Sequence, residues 1–265
     1  MKVQLTAEQI QENWNVFIGY INNYIDSPRK EKLIEFYNKH QEELMLMPAS
    51  HKRAYHNAIP GGYVDHVNRV IKGALKLHDV WHSMGSYTDT YTIEELVFSA
   101  LNHDLGKMGD GEQYAHLPSQ DKWRKENLGE MYQFNTKIPY MTVPDRSLFL
   151  LHQAGVDISY NEWIAIKTHD GLYDQGNEAY LKSFMPETKP RSPLTYIIHQ
   201  ADMMAARVEF EREYLEELND GVKPKKKENN FSIEKKKAIT KAKAVKQISN
   251  SESSGLTDAM SNFFD

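Results

Sequence analysis

Six residues of this chain have the chemistry to hold a metal ion: His66, His103, Asp104, His152, His169 and Asp202. All offer nitrogen or oxygen lone pairs. Neutral imidazole suits first-row ions such as Zn, Fe, Mn, Ni or Co, whereas carboxylates suit harder ions such as Mg and can bridge two of them. A mixed His/Asp set therefore fits a hydrolytic centre with one or two divalent ions. There is no cysteine, which excludes a disulfide framework, a thiolate zinc site and a cysteine nucleophile. The His103-Asp104 dipeptide alone carries little, because His78-Asp79 and His169-Asp170 also occur. Asp202 carries more. It falls within the apolar stripe of Leu194, Ile197, Ala201 and Ala205, where an unpaired carboxylate is expensive and a buried cation relieves the cost.

The elements that must position these residues read as helices. Ile10, Trp14, Phe17, Ile18, Ile21 and Ile25 recur at helical spacing behind a Thr6/Gln9 capping box, and a second helix is expected over residues 28–40. Gly61-Gly62 opens a third, whose Val64, Val67, Val70, Ile71 and Leu75 share one face, with His66 near its start. Thr92 and Glu95 cap a helix that ends at His103-Asp104, with Gly106 as its stop. Residues 146–153 read as helical, Ser159 and Glu162 cap a helix running to His169-Asp170, and Ser192-Pro193 starts a long helix to about residue 219. Residues 108–145 mix Gly, Pro and aromatics and read as a long irregular insertion or lid. No alternating β-branched run reads as a strand. The expected class is mostly α, a helical bundle with its site between helices.

At these residues the sequence resembles the HD superfamily of metal-dependent phosphohydrolases, whose signature is a His, a His-Asp pair and a distant Asp. The match is His66 in GGYVDH, His103 and Asp104 in NHDLGK, and Asp202 in HQADMMAARVE, over about residues 51–215. The stretch YHNAIPGGYVDHVNRV also resembles the HD domain of certain 3′-to-5′ exonucleases. The resemblance implies a five-helix core with extra N-terminal helices. It implies that His66, His103, Asp104 and Asp202 hold a first metal, and that Asp104 bridges to a second held by His152 and His169. Asp170 departs from the pattern, since several two-metal members have a second His there. Metal-activated water would attack phosphorus, with Asp104 and Lys107 as the catalytic residues. Lys107, Arg207 and His56 would bind substrate, Lys107 and Arg207 through phosphate. His51 and His116 are further candidates to line the pocket, and His199 to support a ligand from behind.

Composition is that of a globular chain, 40% hydrophobic and 26% charged, with no apolar run of the roughly 20 residues that span a bilayer. The N-terminus lacks the plan of a signal peptide, so a cytoplasmic protein without a membrane partner is expected. Residues 1–50 are expected to pack as N-terminal helices on a phosphohydrolase domain over 51–222. Residues 223–256 read as a Lys-rich flexible linker, and 257–265 as a docking peptide. Residues 223–265 carry ten lysines against five acidic residues, leaving 22 basic against 32 acidic residues before them. Thr257, Met260, Phe263 and Phe264 resemble the peptides by which replication enzymes dock on sliding clamps. The expected activity is hydrolysis of a phosphomonoester or phosphodiester of a nucleotide. The alternatives are a 3′-to-5′ exonuclease acting on a nucleic-acid 3′ end, and a non-enzymatic adaptor on a sliding clamp.

Overall fold

The fold was examined in a computed structural model that describes residues 4–212. Ten α-helices account for most of them: α1 (Ala7–Tyr24), α2 (Arg29–Lys39), α3 (Gln41–Leu46), α4 (Gly62–Ser83), α5 (Ile93–Asn102), α6 (Lys122–Leu128), α7 (Val143–Gln153), α8 (Tyr160–Lys167), α9 (Glu178–Leu181) and α10 (Leu194–Phe210). The protein is mostly α, as its periodicity requires. None of the described helices is long and apolar enough to cross a membrane. The tail calls, the linker over 223–256 and the docking residues Thr257, Met260, Phe263 and Phe264, lie outside the described residues, as does the expected extension of α10 to residue 219.

Local chemistry sets the helix starts. The capping boxes Thr6/Gln9, Thr92/Glu95 and Ser159/Glu162 all form, each satisfying backbone N–H groups that the first turn leaves unpaired. α4 packs along α10 and α5, α8 packs on α5, α7 and α10, and α1 lies on α4 and α5. Their shared core includes Phe17 and Ile21 of α1, Val67 and Ile71 of α4, Leu96 of α5, and Ile197 and Ala201 of α10. Tyr37 from α2 donates its hydroxyl to Asn102 Oδ1 at 2.6 Å, which fixes the last residue of α5 inside this core.

Three expectations are corrected. α7 starts at Val143 rather than Arg146, because Thr142 caps it by accepting from Asp145 N–H and Pro144 sits in its first turn, where a missing N–H costs nothing. The insertion is not wholly irregular: β1 (His116–Pro118) and β2 (Tyr132–Phe134) pair antiparallel, with His116 opposite Phe134. Three-residue strands are too short to show alternation. They hold because the backbone of Met131 and Tyr132 also donates to the His51 carbonyl. Gly106 does not stop α5 in a left-handed conformation. It sits in a 3₁₀ turn (Leu105–Lys107) pressed against α7, where a Cβ would lie 2.1 Å from the Val143 carbonyl oxygen.

Candidate metal centre

Four helices deliver the site. His66 lies on the second turn of α4, His103 caps the C-terminus of α5 with Asp104 after it, His169 and Asp170 follow α8, and Asp202 is midway along α10. The turn that carries His103 and Asp104 is clamped by α7. Gly106 N–H donates to Ser147 Oγ at 2.7 Å, and that oxygen lies 3.0 Å from the His103 carbonyl. The buried Arg146 guanidinium donates to the carbonyls of Gly106, Met108 and Gly109. Gly171 serves the other side. At φ +58° its missing Cβ leaves room for the His199 ring, which would otherwise be 2.2 Å away, and His199 Nδ1 lies 2.8 Å from the His169 carbonyl, to which it donates.

The three histidines are each held from behind. His66 Nδ1 is 3.0 Å from Glu209 Oε2, His103 Nδ1 is 2.8 Å from the Ala100 carbonyl, and His169 Nδ1 is 2.8 Å from the Ile166 carbonyl. Because these partners only accept, each Nδ1 carries a proton, and Nε2 is the nitrogen left to ligate a metal. Those Nε2 atoms face carboxylates. His66 Nε2 is 3.0 Å from Asp202 Oδ1 and 3.6 Å from Asp104 Oδ2, His103 Nε2 is 3.5 Å from Asp104 Oδ2, and His169 Nε2 is 3.5 Å from Asp104 Oδ1. Despite the short distance to Asp202, the angle at His66 Nε2 is wrong for a hydrogen bond. It and His103 Nε2 are buried polar atoms without a hydrogen-bonding partner.

Acceptors turned on acceptors in a buried place need positive charge, which a bound cation or protons on the imidazoles would supply. Among the described residues four groups bring ligand atoms within 4.8 Å of one another: His66 with His103 and Asp202, His103 with Asp104 and His169, His169 with Asp170 and Asp202, and, behind them, His56 with His66 and Glu209. The donor set fits a divalent first-row ion. Protonation behaviour says the same. Burial disfavours charge on His66, but Glu209 and Asp202 outweigh it and raise its pKa to about 10. Burial is likewise outweighed at His169, where Asp104 and Asp170 raise the pKa to about 9. Burial works against the Asp104 carboxylate too, yet Lys107 and His103 hold its pKa well below the usual range. The cluster demands positive charge, from protons or from a metal.

His152 is not brought to this cluster. It lies in the last turn of α7, exposed and outside all of these groups, because it follows the buried Leu151 by one residue and so points about 100° away from it. Asp170, which the sequence marks only as a departure, stands with His169 and Asp202 instead. Glu209 was missed. It is fully buried, accepts from Arg69 Nε at 2.9 Å, and also lies 3.1 Å from His56 Nδ1. Its signal in the sequence is an acidic residue seven positions after Asp202, two helical turns on along the same face.

Asp104, Asp170 and Asp202 open onto a cleft of about 1190 Å³ that Lys107, Arg207, His51, His56, His116 and His199 also line. Lys107 Nζ reaches Asp104 Oδ2 at 2.5 Å, and Arg207 Nε pairs with Glu211 at 3.1 Å. Comparison with known protein families, with curated proteins and with solved structures gave no match for this chain.

Proposed function

We propose that the protein is a metal-dependent phosphohydrolase of the HD type, cleaving a phosphoester bond of a nucleotide. One observation carries the reading: three imidazoles locked from behind turn their Nε2 lone pairs onto Asp104 and Asp202 at the floor of an open cleft. His66, His103, Asp104 and Asp202 would hold one ion. Asp104 lies near His66 and His103 through Oδ2 and near His169 through Oδ1, so it would also help hold a second ion with His169, beside Asp170. A divalent ion there supplies Lewis acidity toward a phosphoryl group and lowers the pKa of water.

The chain's own residues do the rest. Glu209 and the two backbone carbonyls fix the imidazole tautomers, so that the lone pairs stay aimed at the cleft. Lys107, 19% exposed and resting on Asp104, is positioned to swing onto a phosphoryl oxygen and offset its charge. The resemblance in GGYVDH, NHDLGK and HQAD supplies the reaction class, and the geometry supplies the means.

The test is elemental analysis of the purified full chain, followed by a metal-supplemented panel of nucleoside mono- and triphosphates, cyclic dinucleotides and 3′-labelled oligonucleotides. Bound Mn, Fe, Zn, Ni, Co or Mg, together with phosphate or nucleotide release, is expected. A metal-free protein inert on the whole panel refutes the reading. Processive shortening of the oligonucleotides would favour the 3′-to-5′ exonuclease instead.

A further inference from the structure

The cleft above the histidines has a polar floor and walls of another kind. Tyr55, Phe134, Met141, Tyr173 and Met203 line it, and several remain open to solvent, Tyr173 at 84% and Tyr55 at 54%. The two tyrosines come from separate segments, Tyr55 from the connection that leads into α4 and Tyr173 from the 3₁₀ turn after α8. The Tyr173 ring stands 6.5 Å from His199 and the Tyr55 ring 6.4 Å from His51, so both stand beside the polar floor rather than at a distance from it. Exposed aromatic and thioether surface grouped around a polar centre is what a flat, partly apolar ligand needs.

Charge narrows the ligand further. Among the described residues, the lysine and arginines lining the cleft are three: Lys107, which rests on Asp104 and serves the phosphate over the floor, Arg146, which is held by three backbone carbonyls, and Arg207, which is in an exposed pair with Glu211. The neighbouring imidazoles add little. Burial and then Lys107 push His116 down to about 4 and His51 below its usual value. Against them stands Glu211, apart from Asp104, Asp170 and Asp202, whose charge a bound metal would offset. A polyanion binds through a row of cations matched to successive phosphates, and among the described residues no such row leads away from the floor. Volume alone would admit a short oligonucleotide, since about 1190 Å³ exceeds the usual small-ligand range. Charge decides against it.

We infer that the cleft takes a nucleotide with a single phosphate, a nucleoside monophosphate, whose base lies against Tyr55 and Tyr173 while its phosphate sits over the Asp104-Asp202 floor. This rests on the phosphohydrolase reading for the phosphate end and on the cleft wall for the base.

Calorimetry on the manganese-supplemented full chain, with uncleavable ligands, tests it without needing turnover. The probes are the phosphonate analogue of adenosine monophosphate, the same phosphonate on ribose without a base, and a five-nucleotide single strand. The base-bearing phosphonate is expected to bind about tenfold or more tighter than the base-free one. Tyr55→Ala and Tyr173→Ala are each expected to cut that preference about fivefold, whereas Tyr87→Ala, an exposed tyrosine outside the cleft, leaves it unchanged. Equal binding of the two phosphonates overturns the base site and leaves the phosphohydrolase reading intact. Tightest binding of the single strand, lost steeply with added salt, overturns the single-phosphate assignment. If a metal-loaded protein binds neither phosphonate, both readings fall together.

Discussion

Two clusters of charge among the described residues differ in what closes them. At the start of α2, Arg29 donates to Glu94 of α5 at 2.6 Å and to both carboxylate oxygens of Glu162 of α8 at 2.8 Å, with its guanidinium 4.2 Å over the Phe98 ring. Glu162 also accepts the Ser159 backbone N–H. Donors meet acceptors within the protein, and three helices are tied together. At the other ends of α5 and α8, His103 and His169 turn lone pairs toward carboxylates, and nothing on the protein lies between them. The same two helices thus end in a closed cluster at one side and an open one at the other. Closure serves the fold, and the open cluster is the one we propose for chemistry.

The largest effect that can sharpen this contrast comes from Asp104→Ala. It removes the one carboxylate within reach of His66, His103 and His169 together, so bound metal and phosphate release are both expected to fall to background, while the closed cluster keeps the chain folded. Elemental analysis and a phosphate assay read it; undiminished activity would remove the basis for calling the cluster a catalytic centre. Next in size is Arg29→Ala at the closed cluster. Stripping the cation from the fully buried Glu162 is expected to cost about 3 kcal/mol of stability, the lower end for a broken buried pair because Arg29 keeps some solvent contact, with metal content unchanged. The cost has a pH signature. Burial, set against the Ser159 N–H and Arg29, raises the Glu162 pKa to about 7 from the carboxylate value of 4.5. A raised carboxylate contributes stability below about pH 4.5 that is lost as pH rises through about 7. Denaturation of Arg29→Ala should therefore show a larger deficit at pH 8 than at pH 5.5; an equal deficit at both would show that Glu162 is not the group left exposed to the loss.

Glu209→Gln comes third and sits between the two kinds of cluster, being a closed partner that serves the open site. Its amide can still accept from one imidazole, but it no longer balances Arg69 and the two histidines around it. Metal affinity is expected to drop about 10- to 100-fold, measured by competition with a fluorescent chelator, as is usual when the residue behind a ligating imidazole is changed. No change would make Glu209 a purely structural acid.

How much of this was legible in the sequence follows from the range of the forces involved. Capping boxes are set by residues three apart, and Thr6, Thr92 and Ser159 all start their helices where the pattern places them. Five of the six candidate ligands converge, since Asp202 in an apolar stripe and His103-Asp104 at a helix end each announce a local cost that a shared cation would relieve. What was hidden depends on distant partners. The close approach of α7 explains Gly106, and the His51 carbonyl explains why three residues around Gln133 become a strand. Glu209 acquires its role from α4, more than a hundred residues earlier.

The smallest expected effect concerns His152, and it decides where the open cluster ends. The resemblance would make this residue a ligand, yet it stands exposed at the end of α7 while Asp170 fills the place beside His169. Helix geometry keeps it out: to turn inward, α7 would have to rotate about 100°, which would carry Leu151 out of the core and pull Ser147 and Arg146 off the turn that holds His103. His152→Ala is therefore expected to keep its full metal content and to change stability by no more than about 0.5 kcal/mol, the ordinary range for an exposed site. Asp170→Ala should instead lose the ion shared with His169. Loss of one equivalent of metal from His152→Ala, with Asp170→Ala unaffected, would reverse the assignment and require α7 to repack when the metal binds.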